Sequence, residues 1–184
     1  DLREISRNKN IPLNLELAAN NKMLKIALKN KPNYICFVPE KRNEVTTEGG
    51  LHLKKNLNNL KFIIKKAKKN KIRTSLFINP SFKDVKISKY IGTDCVEFHT
   101  GKISRLIKNN INFKREYDKI KKCSKLANNL GLEVHVGHGI DYNTAKLLSK
   151  INEIKEFNIG HFIIGESIFY GLKKTIKNFL KICN

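Results

Sequence analysis

Tryptophan is absent from these 184 residues, methionine occurs once, at Met23, and proline four times. Acidic side chains are scarce as well: 16 Asp and Glu stand against 37 Lys and Arg, a formal charge of +21. No apolar run approaches the roughly 20 residues needed to cross a bilayer, and stretches such as Phe162-Ile163-Ile164 stop early. That excludes a membrane-spanning helix. The four cysteines, Cys36, Cys95, Cys123 and Cys183, form no C-x-x-C pair and have no metal-ligand spacing with the five histidines. A disulfide-stapled miniprotein is therefore excluded, no metal site is expected, and a reducing, cytoplasmic compartment is the default. With 40% hydrophobic and 29% charged residues the chain has material for one core, so a single domain over residues 1–184 is expected. It opens at Asp1 inside a helix-like stretch, which reads as a fragment whose own N-terminus lies upstream.

The charge suggests a nucleic-acid partner, but its composition argues otherwise. Only six of the basic residues are arginine, and lysine is accompanied by abundant asparagine and isoleucine, residues that share A/T-rich codons. Lys54, Lys55, Lys61, Lys65, Lys66, Lys68 and Lys69 are spread over helix faces without interleaved exposed aromatics. A solvated surface explains them better, and its field would gather phosphorylated metabolites. A non-catalytic RNA-binding protein is the rival from another class, and it would reveal itself by a steep salt dependence.

Short β-branched runs alternate with segments of helical period, the pattern of a parallel sheet wrapped by helices. Strands are expected at Pro12 to Leu17, Tyr34 to Val38, Arg73 to Asn79, Cys95 to His99, Leu132 to Val136 and Glu156 to Ile159. Apolar residues at helical spacing follow: Leu53, Leu57, Leu60, Ile64 and Ala67; Phe113, Tyr117, Ile120, Cys123, Ala127 and Leu130; then Leu172, Ile176, Phe179 and Leu180. Six such units fit a doubly wound sheet or most of a (β/α)8 barrel. The strand ends favour the barrel, because Glu16, Asn79, Glu97, His99, His138, Asn158 and His161 would converge at one end of it. In the first strand, leucines at 13, 15 and 17 alternate with Asn14 and Glu16, so packing the leucines on helices turns Glu16 into the lumen.

Four segments, N-L-E-L-A (14–18), V-P-E-K-R-N-E-V-T-T-E-G-G (38–50), G-H-G (137–139) and N-I-G-H-F-I-I-G (158–165), resemble the pyridoxine 5′-phosphate synthase family. The resemblance runs from Asp1 to about Leu172 and implies a TIM barrel with extra helices, a homo-octamer, and no metal or other cofactor. It also implies the reaction: 3-amino-2-oxopropyl phosphate and 1-deoxy-D-xylulose 5-phosphate condense to pyridoxine 5′-phosphate, inorganic phosphate and water, the ring-forming step of vitamin B6 biosynthesis. By the same resemblance Glu16 is a general base, His138 a general acid and Glu97 a stabiliser of charged intermediates. Thr46 would contact the deoxyxylulose phosphate, and backbone around Gly139, Gly160 and His161 would hold the phosphate retained in the product.

Other positions read more plainly. His99 supports Glu97 on the same strand face, His135 is a satisfied core histidine, His52 flanks a helix, and the cysteines are core filler. The run Glu40 to Glu48, ending in Gly49-Gly50, suits a lid. Against the family pattern, the first two barrel strands are missing, together with an Asp-His pair and an Arg- and His-bearing stretch. The 184 residues alone are accordingly not expected to catalyse. Glu166 replaces an arginine common in the family, which weakens the local positive potential. The closest rival, another phosphosugar-binding barrel lyase or isomerase such as an aldolase, would share the phosphate cradle but not the 38–50 segment; its Schiff-base lysine would be Lys41.

Overall fold

The computed structural model describes residues 1–7, 10–40 and 49–183. After a short helix α1 (Leu2–Ile5), strands and helices alternate: β1 (Asn14–Ala18), α2 (Asn21–Asn30), β2 (Tyr34–Val38), α3 (Leu57–Lys69), β3 (Arg73–Ile78), α4 (Phe82–Ile91) and β4 (Cys95–His99). Helices α5 (Gly101–Lys108) and α6 (Lys114–Asn129) then lead to β5 (Glu133–Gly137), α7 (Tyr142–Leu148), β6 (Ile154–Asn158), α8 (His161–Tyr170) and α9 (Leu172–Cys183). All six expected strands are present, each within two residues of its expected limits. The helices α2, α4, α5 and α7 join the three read from spacing.

The strands form one parallel sheet in chain order, β1-β2-β3-β4-β5-β6. Alternation decides what each face carries. Ile35, Phe37, Leu76, Ile78, Val96, Phe98, Val134 and Val136 point outward, are completely or almost completely buried, and pack under the helices. Residues of opposite parity point into the curl of the sheet and are mostly polar. Among the described residues β1 and β6 are not paired, yet Asn14 Nδ2 donates to Glu156 Oε1 at 3.2 Å. The sheet thus curls far enough for its two edge strands to touch through side chains, giving a six-stranded half-barrel. No described helix is long and apolar enough to cross a membrane.

Beside the β1 edge, Ile5 and Ile11 are exposed, as an open sheet suggests. More exposed apolar surface lies on the last two helices, where Ile168 and Phe169 are 79% and 81% exposed and Leu172, Ile176 and Leu180 are also uncovered. Of the expected α9 stripe only Phe179 is buried, in an aromatic cluster with Tyr142 and Phe162 (centroids 4.6 and 5.8 Å away). That cluster fixes α7, α8 and α9 together and so sets the start of α8.

At the N-terminal end of the strands the inner face holds an ion-pair layer. Arg73 donates to Glu133 (3.1 Å), to the Tyr34 hydroxyl (3.4 Å) and to the Cys95 sulfur (3.4 Å). His135, fully buried, pairs through Nε2 with Glu133 at 2.9 Å, while Nδ1 has no hydrogen bond and lies 3.7 Å from Glu156. The expectation of a fully satisfied core histidine is therefore met at one ring nitrogen only. The Cys95 thiol is pushed up to about 12, burial outweighing the attraction of Arg73. Cys95 is thus a neutral member of a polar layer, a correction to the reading of it as core filler.

Burial would raise the Glu133 carboxyl, but hydrogen bonds from His135 and Arg73 and the charge of Arg73 bring it below the usual range. A depressed carboxyl contributes stability above its unfolded value that is lost on acidification. Replacing Arg73→Met is expected to cost about 1 kcal/mol near neutrality, a modest figure because both side chains are more than a third exposed or nearly so (43% and 34%). Urea unfolding should also show a smaller loss of stability on acidification than in the parent, and an unchanged acid limb would contradict this pairing.

Candidate active site

The C-terminal ends of the strands enclose a cavity of about 1030 Å³ lined by Glu16, Phe77, Glu97, His138, Asn158, Gly160 and His161, among others. Glu16, Glu97, His138 and His161, expected to meet at one end of the sheet, do so. Gly139 and Gly160 line the same space. Thr46, Lys41 and most of the expected lid, residues 41–48, lie outside the described residues.

Glu97 is the most constrained of these groups. It is 3% exposed, on the inner face of β4, and its Oε2 accepts from Asn158 Nδ2 at 2.7 Å and from the Cys36 thiol at 3.3 Å. Its carboxyl is pushed up to about 7: burial raises it, the two hydrogen bonds oppose, and the charges of Glu16 and Glu156 add to the rise. The Cys36 thiol is held well above its ordinary value, first by burial and then by the charge of Glu97, so it stays a donor. This corrects the reading of Cys36 as filler. Its parity with Tyr34 and Val38, opposite the outward Ile35 and Phe37, was the available signal.

His138 sits between Gly137 and Gly139 just past β5, with a left-handed φ of 76° that is uncommon outside glycine. Its side chain is exposed and stacks on His99, centroids 4.6 Å apart and planes 24° from parallel. Gly137 has a separate reason to be glycine: a Cβ there would fall on Glu97 Oε1. Below the ring, Thr100 Oγ1 lies 2.8 Å from both the Gly137 and His138 carbonyl oxygens. Thr100 was not foreseen, because its partners belong to a strand more than thirty residues away.

Glu16 is exposed on the inner face of β1, level with Cys36. Gly160 caps α8 without a side-chain acceptor, so the first N–H groups of that helix are left facing the cavity. Such a terminus attracts anions. Lys108, at the end of α5, also lines the cavity; Glu166, farther along α8, is not among its described lining residues. His52 lies ahead of α3, as expected for a flanking residue. Elsewhere, Cys95, Glu133 and His135 bring ligand-type atoms within 4.8 Å of one another. Arg73 already supplies the positive charge there.

The raised Glu97 carboxyl has a stability consequence. Because its folded value of about 7 lies above the ordinary 4.5, its contribution is fully present below about pH 4.5 and is lost as pH rises through 7. The loss amounts to about 3 kcal/mol at full ionisation. Glu97→Gln cannot ionise and is expected to be more stable than the parent at pH 8 but not at pH 4.5, measured by chemical denaturation. Parallel pH profiles would contradict the burial of this carboxyl.

The family model described as "Pyridoxal phosphate biosynthesis protein PdxJ" matches residues 1–184. A pyridoxine 5′-phosphate synthase of Pelagibacter ubique (strain HTCC1062) is 60% identical over 184 residues, which is 100% of this chain and 77% of that protein. One from Bdellovibrio bacteriovorus is 40% identical over 182 residues, 99% of this chain and 75% of that protein. Among solved structures, a mandelate oxidase superposes with a TM-score of 0.63 at 10% identity, covering 99% of this chain and 60% of that one. The citrate synthase SbnG superposes with a TM-score of 0.56 at 8% identity, covering 100% and 78%. At such identities these two share the fold alone. The match over the full chain and the 60% identity place this chain in the pyridoxal phosphate biosynthesis protein PdxJ family.

Proposed function

We propose that the protein makes pyridoxine 5′-phosphate and inorganic phosphate from 3-amino-2-oxopropyl phosphate and 1-deoxy-D-xylulose 5-phosphate. The observation that carries this, beside family membership, is the meeting of two carboxylates, a histidine and an open helix N-terminus around one cavity. Imine formation, phosphate loss, aldol-type closure and aromatisation each move protons, so donor and acceptor must coexist at one pH. Glu16, at the open mouth, is the base. His138 is the acid. Glu97, whose carboxyl is held near 7, stabilises charged intermediates by holding or releasing a proton close to neutrality.

The retained phosphate lies against the backbone of Gly139, Gly160 and His161. A Cβ at Gly160 would meet nothing within 4 Å, so the protein's own packing does not demand glycine there. An approaching phosphate would. Lys108 adds a cation to the cavity, and Thr46 contacts the deoxyxylulose phosphate. The six strands are the last six of a (β/α)8 barrel forming one domain over residues 1–184. The uncovered apolar residues of α8 and α9 support assembly into the homo-octamer expected of the family, and free cysteines suit the cytoplasm. Neither a metal, a redox cofactor, a nucleic acid nor a membrane has a part in this scheme.

The test is Glu16→Gln in the full-length protein, assayed with both phosphorylated substrates. Glutamine keeps shape and hydrogen bonding but cannot accept the proton. Turnover should fall about 10²- to 10⁴-fold with an unchanged melting temperature. Near-parental turnover would remove Glu16 from the chemistry, and a collapsed melt would assign it to the fold.

A further inference from the structure

His138 is asked to deliver a proton from an exposed ring on a turn flanked by two glycines. Left to itself, such a side chain would sample several rotamers, and an acid works only within about 3 Å of its target. The structure answers with a neighbour that the proposed reaction does not use. The His99 ring lies nearly parallel to that of His138, at 4.6 Å and 24°. Phe77 meets the His99 ring edge-on, at 5.4 Å and 67°.

Two glycines complete the seat. A Cβ on Gly49 would come 2.6 Å from His99 Nε2, and one on Gly101 would come 2.8 Å from His99 Cε1 and 2.9 Å from His138 Cδ2. Backbone therefore packs directly against His99 from the end of the 38–50 segment and against both rings from the start of α5. Between them, Thr100 holds the main chain that carries His138: its N–H donates to the Gly137 carbonyl at 2.9 Å, and its hydroxyl hydrogen is shared between the Gly137 and His138 carbonyls.

We propose that His99-Thr100-Gly101 is a clamp that positions His138, with the His99 ring as the platform on which the acid rests. His99 is then a positioning residue, and what it supplies is a flat aromatic face at a fixed height. The inference rests on His138 being the acid of the proposed reaction. Gly49 of the 38–50 segment, the His99-Thr100-Gly101 turn after β4 and the G-H-G after β5 meet at a single stack.

The experiment compares His99→Ala, His99→Phe, Thr100→Val and His138→Gln in the full-length protein by steady-state kinetics, thermal melting and NMR of the histidine ring protons. His99→Ala should lower kcat about 10- to 100-fold with KM within about threefold, because substrate contacts are untouched while the acid loses its geometry. His99→Phe keeps a flat ring and should restore kcat to within about threefold of the parent. Nuclear Overhauser contacts from ring 99 to ring 138 should be present in the parent and in His99→Phe. Their absence from the parent would overturn the stack, whatever the turnover.

A His99→Phe variant as damaged as His99→Ala would overturn the platform by showing that His99 moves protons itself, and a harmless His99→Ala would overturn it outright. If His99→Ala melts early, Thr100→Val carries the test, with about a tenfold loss of kcat expected at constant KM. Parental kcat in Thr100→Val would then remove the clamp. A harmless His138→Gln would defeat the acid assignment by itself, separately from the stacking geometry.

Discussion

A carboxyl group almost wholly removed from water dictates much of what surrounds it. Glu97 needs donors, since an unpartnered buried carboxylate is among the costliest groups a protein can hold, and it draws one from β6 (Asn158) and one from β2 (Cys36). It also needs room, which β5 provides by having no side chain at Gly137. One residue on β4 therefore restricts the identity of residues on three other strands. The two hydrogen bonds do not fully offset the burial, and the remainder appears as a proton held until about pH 7. The same burial that destabilises the ionised fold keeps the carboxyl protonated up to near neutrality.

The parallel register turns this local demand into a layered interior. Each strand sends alternate residues inward, so the inner face divides along its length into an ion-pair layer around Arg73 and Glu133 and a second polar layer around Glu97. Arginine suits the first because its fork reaches a carboxylate, a phenol and a sulfur at once while keeping its charge. A lysine there would offer one compact charge in place of that fork. The layer closes one end of the lumen with polar groups that mostly pair with each other, His135 Nδ1 being left without a hydrogen bond, and the cavity lies at the other end.

Much of this was legible in the chain. The β-branched runs marked all six strands, and polar residues at their ends marked the cavity, because in a parallel α/β sheet the helices claim the outward apolar positions. The limits of β1, β5 and β6 shifted by up to two residues, since ladder hydrogen bonds and not composition set where pairing stops. Cys36 and Cys95 read as core filler because a small buried sulfur looks the same on either face of a strand; only parity distinguishes a filler from a member of the polar inner face. Thr100 carried no local sign at all, its partners being backbone carbonyls on β5. The apolar spacing of α9 was read correctly as a stripe, yet most of it is uncovered, because periodicity says which residues share a face and not whether anything packs on it.

The two carboxyl groups of the cavity differ in exposure. Glu16 and Glu97 are the same residue type on neighbouring parts of one sheet, but the first is open to solvent and the second is 3% exposed. The inner one is kept from ionising by burial and by the negative charge of its neighbours. The difference in exposure goes with the strand: β1 is an edge of the sheet and β4 lies inside it. His138 stands at the outer level as well, where its ring has no enclosing wall, so stacking on His99 and the grip on its backbone take the place of burial in fixing it. A buried group gains order from its surroundings; an exposed one must gain it from a dedicated neighbour.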